Sequence, residues 1–392
     1  MSDTLVLRSI GRLFTATECG VIEHAAVVVR DGVITYAGPE VSLPAHLGDA
    51  EVSDLGGALV TPGLIDAHTH PLYGGNRFAE IALRSAGASY AEIAAAGGGI
   101  ASTVAATRAT PVDELAGSAR QRLESWLAGG TTTVEAKTGY HLDGEGEVAD
   151  VAVLADLAHD DTLPSVEVTW LAGHGVGPEF AGDPDGYVED ASRWCEAARA
   201  AGARHADVFC DQGYFTVEQS RRLLTAAAAA GMLPRIHADE LARTGGAQLA
   251  AELRCSSADH LLMVDDSDAR ALADAGVVAT LAPVTALAMG RTPPVRSLLG
   301  AGVRLALGSD HNPGTCGTTS MSLVVALGVA ELGLSVSQAL EAATAGGAAS
   351  LRLGDRGRAE AGRRADLVAW DADHEGAFAW SYGLRPLRVW KA

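Results

Sequence analysis

The residues with the most chemistry to offer are histidines and an aspartate that recur at the ends of apolar runs. Leu64-Ile-Asp-Ala-His-Thr-His70 closes one such run. Residues two apart in a strand project to the same side, so His68 and His70 can face one point. Two imidazoles at the end of a buried strand make half of a first-row metal site. Taken alone, His-x-His also suits a solvated turn. The same motif class then recurs: Arg235-Ile-His237-Ala-Asp-Glu240, Ser257-Ala-Asp-His260 and Leu307-Gly-Ser-Asp310 each end another apolar run. A buried histidine satisfied by backbone could explain any one of them, whereas four at matching positions point to a shared metal centre. Asp310 also precedes Asn312-Pro-Gly and could serve as a helix cap.

These ends meet only if the runs are strands of one barrel. Eight apolar strand candidates can be counted, at 58–67, 131–135, 166–172, 205–210, 233–238, 256–261, 277–281 and 304–308. Helix signals fall between many of them. Ser89-x-x-Glu92, Thr216-x-x-Gln219 and Ser335-x-x-Gln338 read as capping boxes, and Thr110-Pro111 reads as an N-cap followed by proline at the first helical position. Repeated β-then-α units predict an α/β fold, and eight of them predict a closed (β/α)8 barrel whose βα loops build the active site at one mouth. The two chain ends are β-rich. Asp31-Gly32 joins two β-branched runs as a hairpin, and 365–371 and 386–390 alternate as strands. They predict a small composite β-sandwich domain from residues 1–57 and 358–392, flanking a barrel at 58–357.

With 392 residues, 48% hydrophobic and 20% charged, the chain has material for a large core. Its net charge of −20 argues against nucleic acid and anionic membrane as partners, and requires a local cation wherever an anionic substrate binds. No apolar run reaches membrane-spanning length, and Met1-Ser-Asp-Thr-Leu-Val-Leu-Arg lacks the basic start and apolar block of a signal peptide. Five scattered cysteines form neither a disulfide framework nor a zinc ribbon. A cytoplasmic protein is expected.

The DAHTH strand, His237, His260 and Asp310 resemble the amidohydrolase superfamily, whose members pair such a barrel with a β-sandwich built from both termini. Many two-metal members carry a bridging carboxylated lysine at the end of strand four. Here that strand reads Asp207-Val-Phe-Cys-Asp211, which favours one metal. Longer stretches are similar to the imidazolonepropionase family: 62–77, which ends Gly-Gly-Asn-Arg77, then 94–103, Glu135-Ala-Lys-Thr-Gly-Tyr140, 215–220, Ile236-His-Ala-Asp-Glu240 and Asp310-His-Asn-Pro-Gly-Thr315. Two departures stand out, at His174-Gly-Val-Gly-Pro-Glu and at His311, where family members tend to have an apolar residue.

The resemblance implies hydrolytic opening of 4-imidazolone-5-propanoate to N-formimidoyl-L-glutamate in histidine degradation, with one Zn²⁺ or iron ion per subunit and a homodimer. His68, His70, His237 and Asp310 are the expected ligands. The ion would lower the pKa of water and polarise a carbonyl. His260 is expected beside the ligands as a base or an oxyanion partner, and Asp310 as a proton acceptor. Glu240 is expected to contact the ring nitrogen and relay a proton. Arg77 can grip the propionate with its guanidinium fork. Tyr140 and His174 are expected to bind the substrate, and Asn312, Gly314 and Thr315 to meet substrate or product. Lys137, on the second strand, reads as an ordinary lysine or as support behind the ligands, and Gly97-Gly98-Gly99, lacking the companions of a phosphate loop, reads as a lid hinge or helix-breaking connection. Two rivals remain open: a deaminase acting on an aromatic base, which would not need Arg77, and a non-catalytic scaffold, which would not need the ligands.

Overall fold

The computed structural model describes residues 4–44, 47–88, 92 and 97–392. Ser89, and with it the first predicted capping box, lies outside the described residues, as do 94–96 of the 94–103 stretch. The terminal segments build one seven-stranded sheet. Its members are β1 (Thr4–Phe14), β2 (Val21–Arg30), β3 (Val33–Pro39), β4 (Glu51–Asp54), β5 (Leu59–Pro62), β14 (Leu367–Trp370) and β15 (Pro386–Trp390). The order runs β15-β14-β5-β1-β2-β3, with β4 also on β1. β2 and β3 form the hairpin expected at Asp31-Gly32. Both turn residues have positive φ, 49° and 74°, as a type I′ turn requires. Leu7, Ile10, Val27, Val29, Ile34, Val60 and Leu367 share its hydrophobic core.

Eight parallel strands form the second sheet: β6 (Leu64–Asp66), β7 (Thr131–Lys137), β8 (Ser165–Gly173), β9 (His205–Cys210), β10 (Leu233–Ala238), β11 (Ser257–His260), β12 (Val278–Leu281) and β13 (Leu305–Leu307). Neighbours in sequence are neighbours in the sheet. Its two ends meet where Ala67 N–H donates to the Leu307 carbonyl at 3.3 Å and Asp310 N–H to that of His68 at 2.9 Å. This is the predicted barrel.

Two local readings need correction. The run 58–67 is not one strand. It belongs to the terminal sheet as β5 and to the barrel as β6, and the change falls at Gly63, where a Cβ would lie 2.1 Å from Thr132 Oγ1. Thr110 is not the N-cap of the helix Val112–Ala128; Pro111 holds that place, while Thr110 Oγ1 donates back to the Ala106 carbonyl at 2.8 Å. The boxes at Thr216 and Ser335 are formed as expected. Helix Val112–Ala128 buries Leu115, Ala119, Leu123 and Trp126, a spacing that keeps one face on the barrel. Trp126 Nε1 donates to Asp66 at 2.8 Å, and the Ser309 N–H donates to the other oxygen of Asp66 at 2.8 Å, which ties first and last strand ends together.

Candidate active site

His68 and His70 leave β6, His237 sits within β10, His260 ends β11 and Asp310 follows β13. All five are buried. One ring nitrogen each from His68, His70 and His237 lies within 4.8 Å of the others, and the same holds for His68, His260 and Asp310. Asp310 Oδ1 is 3.6 Å from His68 Nε2 and 3.5 Å from His70 Nε2. Burial opposes ionisation of Asp310, yet the His70 hydrogen bond and the His68 ring hold its carboxyl well below the usual range. Burial drives His68 well below the ordinary histidine value, with the Lys137 ammonium adding to it, and His70 is lowered by burial too. His237 differs: burial lowers it, but the Asp207 carboxylate outweighs this and raises it. Imidazoles beside an ionised carboxylate are the donor set a first-row cation takes. His68 Nε2 is buried with no hydrogen-bond partner among the described residues, as a nitrogen kept for a metal should be. The residues therefore fit the group that the motifs imply.

Beneath this cluster lies a buried charge network not anticipated from the sequence. Lys137 Nζ donates to Glu135 at 2.8 Å and to Asp207 at 2.7 Å, and Arg235 Nη2 donates to Asp259 at 3.1 Å. Asp207 in turn meets His237 Nδ1 at 3.1 Å, and Asp259 meets His68 Nδ1 at 2.6 Å. Despite burial, His237 and Lys137 keep the Asp207 carboxyl well below its usual range, and Arg235 and Lys137 lower that of Asp259. Such carboxylate–histidine contacts fix the ring orientation and the tautomer. A signal was present: Glu135/Lys137, Arg235/His237 and Ser257/Asp259 are each two apart and so share the barrel-facing side. Of the two readings open to Lys137 in the sequence, its contacts favour support beneath the cluster.

A cavity of about 880 Å³ opens over the cluster. Its lining includes His70, His237, His260 and Asp310 together with Arg77, Tyr140, His174, Glu240, Asn312 and Thr315. Glu240 Oε1 is 3.7 Å from His260 Nδ1, and burial raises its carboxyl, opposed by His260. Asp211 positions it by accepting from the backbone N–H groups of Glu240, Leu241 and Ala242 at 2.7–3.0 Å. His174 stacks on His70 at 5.0 Å between ring centroids and hydrogen-bonds the Gly139 carbonyl through Nδ1 at 3.0 Å. Arg77 is buried, and its Nε donates to Glu80 at 3.0 Å. The other Glu80 oxygen accepts from Gly99 N–H at 2.8 Å, so the triglycine is tied to the arginine rather than to a phosphate.

Gly314 is absent from the cavity lining but supports it, because a Cβ there would lie 2.5 Å from Arg77 Cζ. Asn312 Oδ1 accepts from the N–H groups of Gly314 and Thr315 at 2.8 Å, which shapes the eighth loop. His311 is outside the lining as well. Its ring nitrogens meet Tyr73 Oη and the Thr318 carbonyl, each at 3.2 Å. Burial pushes it down to about 4. Asp239, His260, Leu261 and Asp310 all have φ between 51° and 73° or, for Asp310, 50°, a concentration of left-handed non-glycine residues at strand ends that the surrounding contacts must maintain.

The amidohydrolase family model matches residues 59–390. The imidazolonepropionase of an Anaeromyxobacter species (strain K) is 42% identical over 370 residues, covering 93% of this chain and 88% of the relative. That of Porphyromonas gingivalis is 41% identical over 365 residues, covering 92% and 86%. Among solved structures, N-isopropylammelide isopropylaminohydrolase from Burkholderia multivorans superposes with a TM-score of 0.76 at 19% identity, covering 99% of this chain and 97% of that one, a likeness of fold alone.

Proposed function

Because the chain belongs to the amidohydrolase family and to the imidazolonepropionases within it, we infer how its residues open the ring of 4-imidazolone-5-propanoate to N-formimidoyl-L-glutamate. The reaction is hydrolysis of a cyclic amide C–N bond. The observation that supports this use of the site is that one cavity is lined both by the histidine–aspartate cluster and by Arg77. A reactive centre and a carboxylate anchor thus face the same small molecule.

His68, His70, His237 and Asp310 would hold one zinc or iron ion. When bound, the ion supplies Lewis acidity that eases deprotonation of water and polarises a carbonyl. Arg77 pairs with the propionate, and Tyr140 and His174 hydrogen-bond the substrate and orient its ring. Asp310, kept ionised by its histidine neighbours, accepts a proton as water oxygen bonds to the ring carbonyl carbon. His260 donates to the carbonyl oxygen as its charge grows. Glu240, whose carboxyl is raised by burial, carries the proton to the ring nitrogen as the bond from carbonyl carbon to that nitrogen breaks. The carbon becomes a carboxylate and the nitrogen stays in the formimidoyl group. Asn312 and Thr315 meet the product on the eighth loop, with Gly314 beneath Arg77.

Freshly prepared 4-imidazolone-5-propanoate, followed by loss of ring absorbance with the product identified by mass spectrometry, tests the reading. Chelator-sensitive formation of N-formimidoyl-L-glutamate supports it, and no turnover by folded, metal-loaded protein overturns it. Elemental analysis and light scattering of the same sample address the zinc-or-iron and homodimer expectations. A cytoplasmic site is carried by the sequence reading; among the described residues no helix is long and apolar enough to cross a membrane.

A further inference from the structure

Two guanidinium groups line the cavity, and they are unlike. Arg77 is 6% exposed and faces the Glu80 carboxylate, so part of its charge is answered within the protein. Arg291 is exposed on the segment after β12. Its Nη1 donates to the Leu241 carbonyl at 2.8 Å and approaches Met263 Sδ at 3.1 Å. Both acceptors are uncharged, and among the described residues Arg291 forms no ion pair. Leu241 follows Glu240, and both line the cavity, so these contacts hold the guanidinium at the rim instead of letting it sweep through solvent.

The rest of the molecule makes that placement consequential. A net charge of −20 opposes the approach of any carboxylate. Two further carboxylates, Glu240 and Asp310, line the cavity itself. An anion arriving from solvent thus meets a repulsive field before it reaches the buried Arg77. An uncompensated cation at the rim reverses that field locally, over roughly one Debye length, about 8–10 Å at moderate salt.

We propose that Arg291 is a capture residue for the substrate carboxylate, drawing the propionate to the rim before Arg77 takes it in the interior. The proposal rests on the ring-opening reading, since it requires an anionic substrate. Its contribution falls on kcat/KM, because the contact is made on entry and the reacting bonds lie elsewhere. The structural alternative is a tie: Arg291 joins the segments after β10, β11 and β12 and does no more.

Arg291→Met and Arg291→Lys separate the two. Steady-state kinetics with 4-imidazolone-5-propanoate is run at low salt and at about 0.5 M salt, where charges are screened. Capture predicts that R291M loses about threefold to tenfold in kcat/KM at low salt, that the loss shrinks at high salt, and that R291K restores most of it. Throughout, kcat stays within about twofold. A loss equal at both salt concentrations and shared by R291K identifies a tie and overturns the proposal, as does no loss. Calorimetric binding of glutarate, an unreactive dicarboxylate, is measured on the same proteins. Weaker and less salt-dependent binding by R291M is expected; absent or unchanged binding overturns capture. Since glutarate needs no turnover, Arg291-dependent binding by a wild type that leaves the imidazolone intact overturns the ring-opening reading alone. Normal wild-type turnover matched by R291M overturns capture alone.

Discussion

Asp259 meets His68 Nδ1 at 2.6 Å, while His68 Nε2 stands 3.6 Å from Asp310. Arg235 and Lys137 keep the Asp259 carboxyl ionised against the cost of burial, so it acts as acceptor and the Nδ1–H of His68 donates. The other nitrogen is thereby left with its lone pair toward the cluster. One buried carboxylate sets both the tautomer and the aim of a ring placed to bind a metal.

Replacing Asp259 with Asn removes that acceptor charge without changing the side chain's size. Metal affinity falls by about 10- to 100-fold, the usual cost of losing such a partner. Competition with a graded chelator reads the change directly. An affinity equal to wild type would show that His68 is oriented by packing alone.

Arg77→Met raises KM by about 10- to 100-fold, the worth of one charge-assisted carboxylate contact. Gly314→Ala acts in the same direction, because its methyl group collides with the Arg77 guanidinium, which Glu80 prevents from moving aside. Both variants keep kcat within a few-fold of wild type. A drop in kcat at unchanged KM would place Arg77 with the reacting atoms instead.

Glu240→Gln retains the shape of the side chain and cannot carry a proton. Its kcat falls by about 10²–10⁴, the range of general acid–base assistance, while KM changes little. Rapid-mixing kinetics that show undiminished ring opening would remove Glu240 from the proton path.

Stability should rise on mild acidification through Glu147. Its carboxylate accepts from the N–H groups of Gly139, His141 and Leu142, each at 2.9 Å, and shapes the turn that carries Tyr140. Burial, with the Asp150 carboxylate beside it, pushes Glu147 up to about 7. Between its unfolded value near 4.5 and its folded value, the native chain holds a proton that the unfolded chain has released. Lowering the pH through 7 therefore adds up to about 1.4 kcal/mol per pH unit from this group, levelling off near pH 4.5. Denaturant unfolding at pH 8, 7, 6 and 5 measures the slope in wild type and in Glu147→Gln, which should lack it.

The residues proposed to act in the reaction were legible in the sequence because most sit at or just after a strand end with a chemically informative neighbour. His68 and His70 share a strand face, and Asp310 precedes a turn. The layer beneath was not. Glu135, Lys137, Asp207, Arg235 and Asp259 are fully or almost fully buried, and a charge in a sequence is ordinarily read as a solvated surface group. Their pairing exists only once four separate strands close around them. Asp259 and His260 show the difficulty: adjacent in a strand, they should face opposite sides, yet the 73° φ of His260 swings its ring back over the mouth while Asp259 stays below. Gly63 is another case. Reading 58–67 as one strand passed over the break at Pro62-Gly63, and the change of sheet there depends on the Thr132 side chain packing where a Cβ would have been.

The terminal sheet and the barrel seam both join residues from opposite ends of the chain. Trp370 Nε1 donates to Thr61 Oγ1 across 309 positions, and the Ser309 N–H reaches Asp66 across 243. A ribosome emits the first halves of both contacts long before their partners exist. The nascent chain must therefore hold β5 and β6 unpaired on one edge through most of its synthesis, at the cost of exposed strand edges. The His68–His70 pair waits equally long for Asp310. The four proposed ligands thus come together only once the eighth barrel strand has been made.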